Sequence, residues 1–316
     1  MDKKPIFHFC LIDPLATHAE EYRILHNILF PGAAVSSDWI EWYHGKISTT
    51  NQQYTETRTY GVFDSKRLIG MWSVEPKRLQ VEDGKILNTG RCFSVGIDAD
   101  YRRMGLFVSL SKYAIEQERK IGEYDYILGY PQKGRSVIGG HLKAGWELVQ
   151  GIDIYSYEPS HEIGSYSKAN ASIVDDYGLF KTSTTHPGSY LESKEYRNTR
   201  WIEHLDNQYL QYKYNDAYII IKPYSNFCHI LDFGGNGEDV QILLEICKSL
   251  AFRHRWVELN LWCCELEIYK EQILKAGFSG GANYAFSVSM IAVRINAETE
   301  LKLEKCHLQM GIEEGY

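Results

Sequence analysis

Four consecutive residues of this chain occur twice at a fixed spacing, each time followed by an aromatic residue, and this repeat restricts the fold more than any other feature. The segment 142–146 reads LKAGW, and 132 residues later (274 minus 142) the segment 274–278 reads LKAGF. The same offset matches Gly105 with Gly237 and the strand-like run 126–128 with 258–260. A helical run follows each of the two glycines. The chain has 316 residues, enough for two domains, so the repeat predicts a tandem of two similarly folded α/β domains.

Composition and charge exclude several classes of protein. Apolar residues make up 44% of the chain and charged residues 24%, as in ordinary globular proteins. The net charge of -7 has the wrong sign for a protein that binds nucleic acid or an anionic membrane. The sequence contains neither an apolar run near the roughly 18 residues that a membrane span needs nor a secretory cleavage site. We therefore expect a cytoplasmic protein.

The cysteines do not predict a metal site. There are seven of them, too few for a disulfide scaffold at this length, and no two form a C-x-x-C pair. Cys92, Cys228 and Cys263 lie inside apolar, strand-like runs, where a cysteine behaves as a small hydrophobic residue. We expect buried, reduced thiols and no metal.

Hydrophobic periodicity and turn residues predict a mixed fold in the first half. The expected helices are 18–29, 37–45 (with Asp38 at the N-cap), the run after Gly105, and 136–144; the expected strands are 60–63, 68–74, 91–97, 126–130 and 146–157. Residues 159–199 are rich in Ser, Thr, Gly and Asn without a clear period, which predicts a long connection whose tyrosines pack against the domains. The predicted domains are 1–158 and 200–316.

The loop before the Gly105 helix has the features of a phosphate site. A helix N-terminus presents unpaired backbone N–H groups and partial positive charge to an anion. Gly105 allows a ligand to approach the backbone closely, and Arg102 and Arg103 add charge. An ordinary β–α loop with solvated arginines is the alternative for this motif taken alone.

The order of hairpin, strand, R-x-x-G loop, helix, strand, short helix and Gly-Trp strand resembles the GNAT superfamily of CoA-dependent acyltransferases over residues 60–157. The family motif Q/R-x-x-G-x-G/A corresponds to residues 102–107, and Phe107 departs from the small residue at its last position. The segment 141–146 is similar to the family's closing element. The resemblance implies an α/β fold with a mixed sheet and acyl-CoA as co-substrate. It implies a strand that splays from its neighbour, and CoA contacts from Val95, Gly96, Ile97, Arg102, Arg103, Met104, Gly105, Leu106, Phe107 and Val108.

The loop of the second half lacks the charge for this ligand. Residues 234–237 contain three glycines but no arginine, and Glu238 and Asp239 follow in the first helical turn. Carboxylates there satisfy the helix dipole that an anion would use. We expect one acyl-CoA site, in the first domain, and a degenerate second domain that contributes acceptor-binding surface.

Acyl transfer to an amine requires a proton for the departing thiolate. By resemblance, the family's tyrosine acid is replaced here by His141, which could protonate the thiolate or merely pack at a helix end. A general base is harder to assign. Glu75 is placed at the end of the second hairpin strand, where it could be a base or a solvated carboxylate, whereas Asp98 and Asp100 are expected to cap the loop. Water suffices if the acceptor amine has a low pKa.

The acceptor prediction depends on the tyrosine content of the chain. The chain has 23 tyrosines, many between residues 155 and 224, and tyrosine suits sugars and nucleobases as well as β-strands. Tandem GNAT-like enzymes acylate nucleotide-linked amino sugars or transfer amino acids. The preferred prediction is an N-acyltransferase for a nucleotide-linked amino sugar of surface polysaccharide, as a monomer or dimer. Aminoacyl or other small-amine transfer and a non-catalytic GNAT-like binding protein remain the alternatives.

Overall fold

The computed structural model describes residues 6–47, 56–159, 172–173, 186–205, 209–280, 287–308 and 310. The first part of the chain forms an antiparallel meander in sequence order. Its strands are β1 (Phe7–Ile12), β2 (Arg58–Asp64), β3 (Arg67–Gln80) and β4 (Ile86–Ile97). Between β1 and β2 lie helix α1 (Ala19–Leu29) and helix α2 (Ser37–Ile40), which continues as a π-helix over Glu41–Ile47.

A β–α–β–α–β succession follows the meander. It consists of β4, α3 (Leu106–Ile121), β5 (Tyr126–Gly129), α4 (Ser136–Lys143) and β6 (Glu147–Tyr157). Helix α3 begins after Gly105 and ends at Gly122, both in the left-handed region with φ of 77° and 75°. Left-handed backbone at such positions favours glycine, so the sequence fixes both ends of this helix.

The later part of the chain contains a similar succession. Its elements are β7 (Ser172–Ile173), α5 (Lys194–Arg197, continued as a π-helix over Asn198–Ile202), β8 (Leu210–Tyr214), β9 (Ala217–Tyr224), β10 (Phe227–Gly234), α6 (Gly237–His254), β11 (Glu258–Cys264), α7 (Lys270–Lys275), β12 (Ser279–Gly280) and β13 (Val288–Arg294). Here too a meander leads through a strand, a long helix, a parallel strand and a short helix.

All thirteen strands belong to one mixed sheet, in the order β1-β2-β3-β4-β5-β13-β6-β11-β10-β9-β8-β7, with β12 beside β6. The two halves exchange strands at its centre. Strand β13 inserts between β5 and the first part of β6, whereas the second part of β6 pairs with β11. The exchange joins the two successions through continuous backbone hydrogen bonding.

Each half contains one pair of parallel strands that separate after three residues. Strands β4 and β5 pair only over Thr89–Arg91, and β10 and β11 pair only over Phe227–His229. Beyond these residues the strands diverge and leave a cleft at the carboxyl end of the sheet. Clefts of this kind are where α/β proteins bind ligands.

Four apolar clusters cover the sheet. In the first half, α3 and α4 pack on one face and α1 and α2 on the other. In the second half, α6 and α7 cover one face. The segment 301–308 and part of 186–205 cover the opposite face around Leu128, Ile154 and Trp262. Among the described residues, no helix has the length and apolar character needed to cross a bilayer.

Most predicted elements are confirmed, with two corrections. The cap of α2 is Ser36, whose side chain accepts a hydrogen bond from the Trp39 N–H, so the assignment of Asp38 was wrong. Strand β3 does not end at Glu75 but continues to Gln80. Pro76 is tolerated because β2 pairs with β3 only as far as Val74, so no ladder hydrogen bond on that side is lost. Of the connection's tyrosines, Tyr190 and Tyr196 are buried, as predicted.

Candidate active site

The cleft between β4 and β5 begins at a β-bulge. Phe93 pairs with Ser73 and Gly96 pairs with Met71, so Ser94 and Val95 lie opposite a single residue, Trp72. Ser94 has a φ of 46°. A bulge leaves one residue outside the ladder and turns the strand, which frees backbone groups for a ligand. The predicted splay of 94–97 is from β5, since β4 and β5 pair only as far as Arg91.

A groove of about 630 Å³ runs from this bulge to the N-terminus of α3. Nine of the ten predicted cofactor residues line it, namely Val95, Gly96, Ile97, Arg102, Arg103, Gly105, Leu106, Phe107 and Val108. The tenth, Met104, is 50% exposed and does not line the groove. The groove combines apolar walls with two arginines at one end.

The loop of 98–105 holds its shape through its own side chains. The Asp98 carboxylate accepts hydrogen bonds from the Asp100 N–H at 3.1 Å and from Arg67 at 2.6 Å, which confirms its predicted capping role. Arg102 donates its Nε–H to the Ile97 carbonyl oxygen at 3.2 Å. Arg103 is exposed and has a φ of 67°. Arg102 thus stabilises the loop, whereas Arg103 offers its charge to the groove.

Sequence reasoning missed the opposite wall of the groove. Tyr101 and five residues of α4 complete the lining: Ser136, Val137, Gly139, Gly140 and Lys143. Lys143 is exposed and adds a third cation. It lies inside the repeated LKAGW segment, so the repeat itself marked the element that forms this wall. The sequence did not single out Lys143 as a ligand-binding residue, because Lys275 occupies the equivalent position in the second half.

A second pocket, of about 210 Å³, continues from the groove along the diverging strands. The two share Val95 and Val137. The smaller pocket is lined by Phe30, Cys92, Phe93, Ser94, Val95, Gly129, Tyr130, Pro131, Val137 and His141. We call it the reaction pocket. Its polar side chains are Cys92, Ser94, Tyr130 and His141, and the rest of its wall is largely apolar.

His141 lies at the end of α4 between two aromatic rings. The ring centroids of Phe107 and Trp146 are 5.0 Å and 4.8 Å from that of His141, both in edge-to-face geometry. The side chain is buried, its Nδ1 has no hydrogen-bond partner among the described residues, and burial lowers its pKa to about 4. At pH 7 the imidazole is therefore neutral. A role as the acid requires that it first receive a proton.

Glu75 lies away from both pockets, inside a buried ionic cluster. Its carboxylate is 2.9 Å from Lys77 Nζ and 2.9 Å from Arg91 Nε, and it accepts a hydrogen bond from Tyr196 at 2.8 Å. Burial alone would raise the pKa of Glu75, but Lys77, Arg91 and Arg200 outweigh it and hold the pKa well below its usual range. The expectation of a solvated carboxylate is wrong, and so strongly paired a carboxylate is a poor base.

The cleft of the second half carries the same strand divergence but a different loop. Strand β10 has a bulge at Leu231, and Asn236 caps α6 by accepting a hydrogen bond from the Glu238 N–H. Only two residues separate β10 from α6, whereas eight separate β4 from α3. Glu238 and Asp239 occupy the first turn, as predicted.

The chain itself occupies this second cleft. Tyr269 accepts a hydrogen bond from the Gly235 N–H at 3.1 Å and donates one to the Gly235 carbonyl at 2.8 Å. His307, fully buried, contacts the Phe233 carbonyl at 2.8 Å and the Glu267 carboxylate at 2.9 Å. No group of three or more metal-ligating side chains occurs among the residues whose structure is described.

Comparison with known proteins agrees with this geometry. Residues 39–149, about a third of the chain, match the acetyltransferase (GNAT) domain. None of the curated proteins compared with the chain matches it.

Solved structures extend the likeness to nearly the whole chain. The fold is similar to a probable N-acyltransferase from Enterococcus faecalis, with a TM-score of 0.67 and 11% identity over 92% of this chain and 73% of that one. A GCN5-related N-acetyltransferase from Anabaena variabilis gives 0.66 and 13% over the same shares. The Saccharomyces cerevisiae N-myristoyltransferase with bound myristoyl-CoA gives 0.60 and 11% over 96% and 89%. At such low identity these likenesses establish the fold. Residues 39–149 are therefore similar to a GNAT acetyltransferase domain, within a fold that the chain shares with these solved structures.

Proposed function

We propose that this protein transfers an acyl group from CoA to a primary amine, with its single cofactor site in the first half. The observation that carries the proposal is the continuity of the cationic groove with the reaction pocket along one pair of diverging strands. CoA has the matching order of parts: charged phosphates, an extended pantetheine arm and a reactive thioester. The second half is proposed to be a degenerate GNAT-like domain.

The phosphates belong at the N-terminus of α3. Backbone N–H groups of 104–108 and the charges of Arg102, Arg103 and Lys143 favour a pyrophosphate there. The pantetheine arm then follows the bulged strand 95–97, where unpaired backbone groups can bond it as an added strand would. This places the thioester in the reaction pocket.

The reaction forms a C–N bond and breaks a C–S bond. A neutral amine attacks the thioester carbon, and a backbone N–H near Val95 stabilises the oxyanion. The nitrogen then loses one proton, and the departing sulfur gains one. A neutral His141 can take the first proton and deliver it to the sulfur, so the imidazole ends in its starting state. Glu75 acts only as a structural anchor.

Replacing His141 by Ala tests this role. We expect turnover to fall by about 10²-fold while CoA affinity stays near normal, because the imidazole lines the reaction pocket and not the phosphate end. Steady-state kinetics and calorimetry with CoA measure the two quantities. Full turnover in the variant would leave His141 as a packing residue.

For the acceptor we propose the amine of a nucleotide-linked sugar used in surface polysaccharide synthesis, in the cytoplasm. Tyr190 and Tyr196 are buried and belong to the fold, so they offer no stacking surface. Tyr130 is as buried as Tyr190 and hydrogen-bonds to it, so its contact with a sugar is limited to the part that lines the reaction pocket. The acceptor would enter from the side where the second half and the connection meet the sheet.

A screen of thiol release tests the proposal. Acyl-CoAs of different chain length are combined with nucleotide-linked amino sugars, amino acids and simple amines, and free CoA thiol is measured. We expect release that depends on both substrates and is greatest with an amino sugar. Release with another amine class would redirect the acceptor assignment. No thermal shift with millimolar CoA or acetyl-CoA would instead favour a non-catalytic binding protein.

A further inference from the structure

Phe107 breaks the family motif, and the structure shows where its ring goes. The ring is half-buried in the gap between α3 and α4, where it lines the groove. A Cβ atom added at Gly140 would lie 2.7 Å from Cδ1 and 2.8 Å from Cε1 of Phe107. Real Cβ atoms do not approach other atoms so closely, so any other residue at 140 would displace the ring. Gly140 and Phe107 are thus matched in shape.

The neighbouring Gly139 has no such close neighbour among the described residues. A Cβ atom at Gly139 would meet nothing within 4 Å, although this residue belongs to the same helix and lines the same groove. Two adjacent glycines are unfavourable in a helix of eight residues. Helix propensity does not account for glycine at 140, whereas the fit of the Phe107 ring does.

The other side of the ring contacts His141. The two rings meet edge to face, with an interplanar angle of 87°. Trp146 also contacts the imidazole edge to face, and its indole N–H donates to Ser111 Oγ at 3.3 Å. Within the part of the chain that the structure describes, His141 Nδ1 has no hydrogen-bond partner, and the contacts that orient the imidazole are those with the two rings. Phe107 also lies between the groove and the reaction pocket, since His141 lines the latter.

We infer that Phe107, seated by Gly140, is a positioning residue that holds His141 in the reaction pocket and forms the wall of the pantetheine groove beside it. This inference rests on the proposed function for its chemistry. The ring has two effects that can be separated. Its removal releases and hydrates His141, whereas its displacement by a side chain at 140 pushes it into the groove.

Four variants separate these effects: Gly140→Ala, its matched control Gly139→Ala, Phe107→Ala, and Phe107→Ala with Gly140→Ala. We expect Gly140→Ala to weaken CoA binding about tenfold more than Gly139→Ala does, because both add a methyl group to the groove lining but only the one at 140 displaces the ring. The double variant should bind CoA as Phe107→Ala does, because a methyl group at 140 fits once the ring is gone. Isothermal titration calorimetry with CoA measures all four.

The imidazole is followed by NMR between pH 5 and 8, with its signal assigned by comparison with His141→Gln. In Phe107→Ala the His141 signal should titrate within this range, because water reaches the ring and its pKa moves from about 4 towards its usual value. With an active amine, kcat of Phe107→Ala should fall about tenfold, a larger change than the change in KM for acyl-CoA.

Equal CoA affinity in Gly140→Ala and Gly139→Ala, or a His141 signal that still does not titrate in Phe107→Ala, would overturn the inference. Neither measurement requires turnover. If no amine is acylated, the proposed function fails while these results still decide the role of Phe107. If the wild type does not bind CoA, the His141 titration decides it alone.

Discussion

The loops that follow β4 and β10 occupy the same position in the two halves, after strands that pair in parallel for three residues and then diverge. The first loop has eight residues, two arginines and an open groove. The second has two residues and leads into a helix whose first turn contains Glu238 and Asp239. In the second half, Tyr269 and His307 bond the backbone that a cofactor would otherwise contact.

The comparison shows that strand divergence alone does not make a cofactor site. Both halves keep the diverging strands and a bulge near them, so the geometry of the sheet is common to both. What differs is the loop length, the sign of the charge and the occupant of the cleft. In the second half the buried segment 306–308 supplies that occupant, with backbone hydrogen bonds between Cys306 and both Leu266 and Ile268. These differences are why we propose the groove of the first half as the cofactor site.

The largest expected effect comes from the charge of the first loop. Replacing both Arg102 and Arg103 by Ala should weaken CoA binding by 100-fold or more, since each charged contact to a phosphate contributes roughly 1.5–3 kcal/mol. The single variants sharpen the comparison: Arg103→Ala removes charge alone, whereas Arg102→Ala also removes the hydrogen bond to Ile97. Calorimetry with CoA measures the affinities. Unchanged affinity in the double variant would place the pyrophosphate elsewhere.

The two clefts also predict opposite dependences of stability on pH. Burial lowers the pKa of His141 to about 4. As the pH falls below about 6.5, the unfolded state binds a proton that the folded state does not, so the free energy of unfolding should decrease by roughly 1.4 kcal/mol per pH unit down to about 4. His141→Gln should reduce the loss between pH 7 and 5 by about 2 kcal/mol in urea unfolding. An unchanged loss would contradict the buried, neutral imidazole.

His307 behaves in the reverse sense. Burial alone would lower its pKa, but the Glu267 carboxylate outweighs burial and raises the pKa above its usual value. Its contribution to stability is therefore fully present below about pH 6.5 and is lost as the pH rises through the folded-state pKa. His307→Gln should be destabilised most at low pH, with a deficit that shrinks as the pH rises, while CoA affinity stays unchanged. A deficit independent of pH would argue against the ion pair.

Much of the fold follows from local sequence. The helix from Leu106 to Ile121 is bounded by two left-handed glycines, and the hairpin turn at 64–66 is polar, so both could be placed in advance. The length of β3 was missed because Pro76 interrupts the strand pattern, although the end of β3 pairs locally with β4 and its other edge is covered by Tyr190, more than a hundred residues away. The insertion of β13 between β5 and β6 is equally non-local.

The candidate site likewise has one part that follows from local sequence and another that depends on residues distant in the chain. The proposed phosphate loop is a contiguous motif, and nine of the ten residues predicted to contact CoA line one groove. The environment of Glu75 was not, since Tyr196 and Arg200 reach it from the connection and the start of the second half. The wall from α4 was recognised as an element, but its match to Phe107 depends on atomic contacts across two helices.

The smallest expected effect comes from the acidic turn of the second loop. Replacing Glu238 and Asp239 by Ala removes charges that favour the helix N-terminus, at a stability cost of about 0.3–1 kcal/mol each. Asp239 also accepts a hydrogen bond from Asn215 at 3.0 Å, which the variant loses. CoA affinity and turnover should not change. A large loss of either would show that the second loop takes part in the reaction.

The central claim is that the chain binds one CoA, in the cleft of the first half. A crystal structure of the protein soaked with CoA tests it most directly. We predict one molecule per chain, with its pyrophosphate over Met104–Val108 and its pantetheine arm directed to the reaction pocket beside His141. Two molecules per chain, or pyrophosphate density at 235–239, would contradict the account and assign the cofactor to the second half.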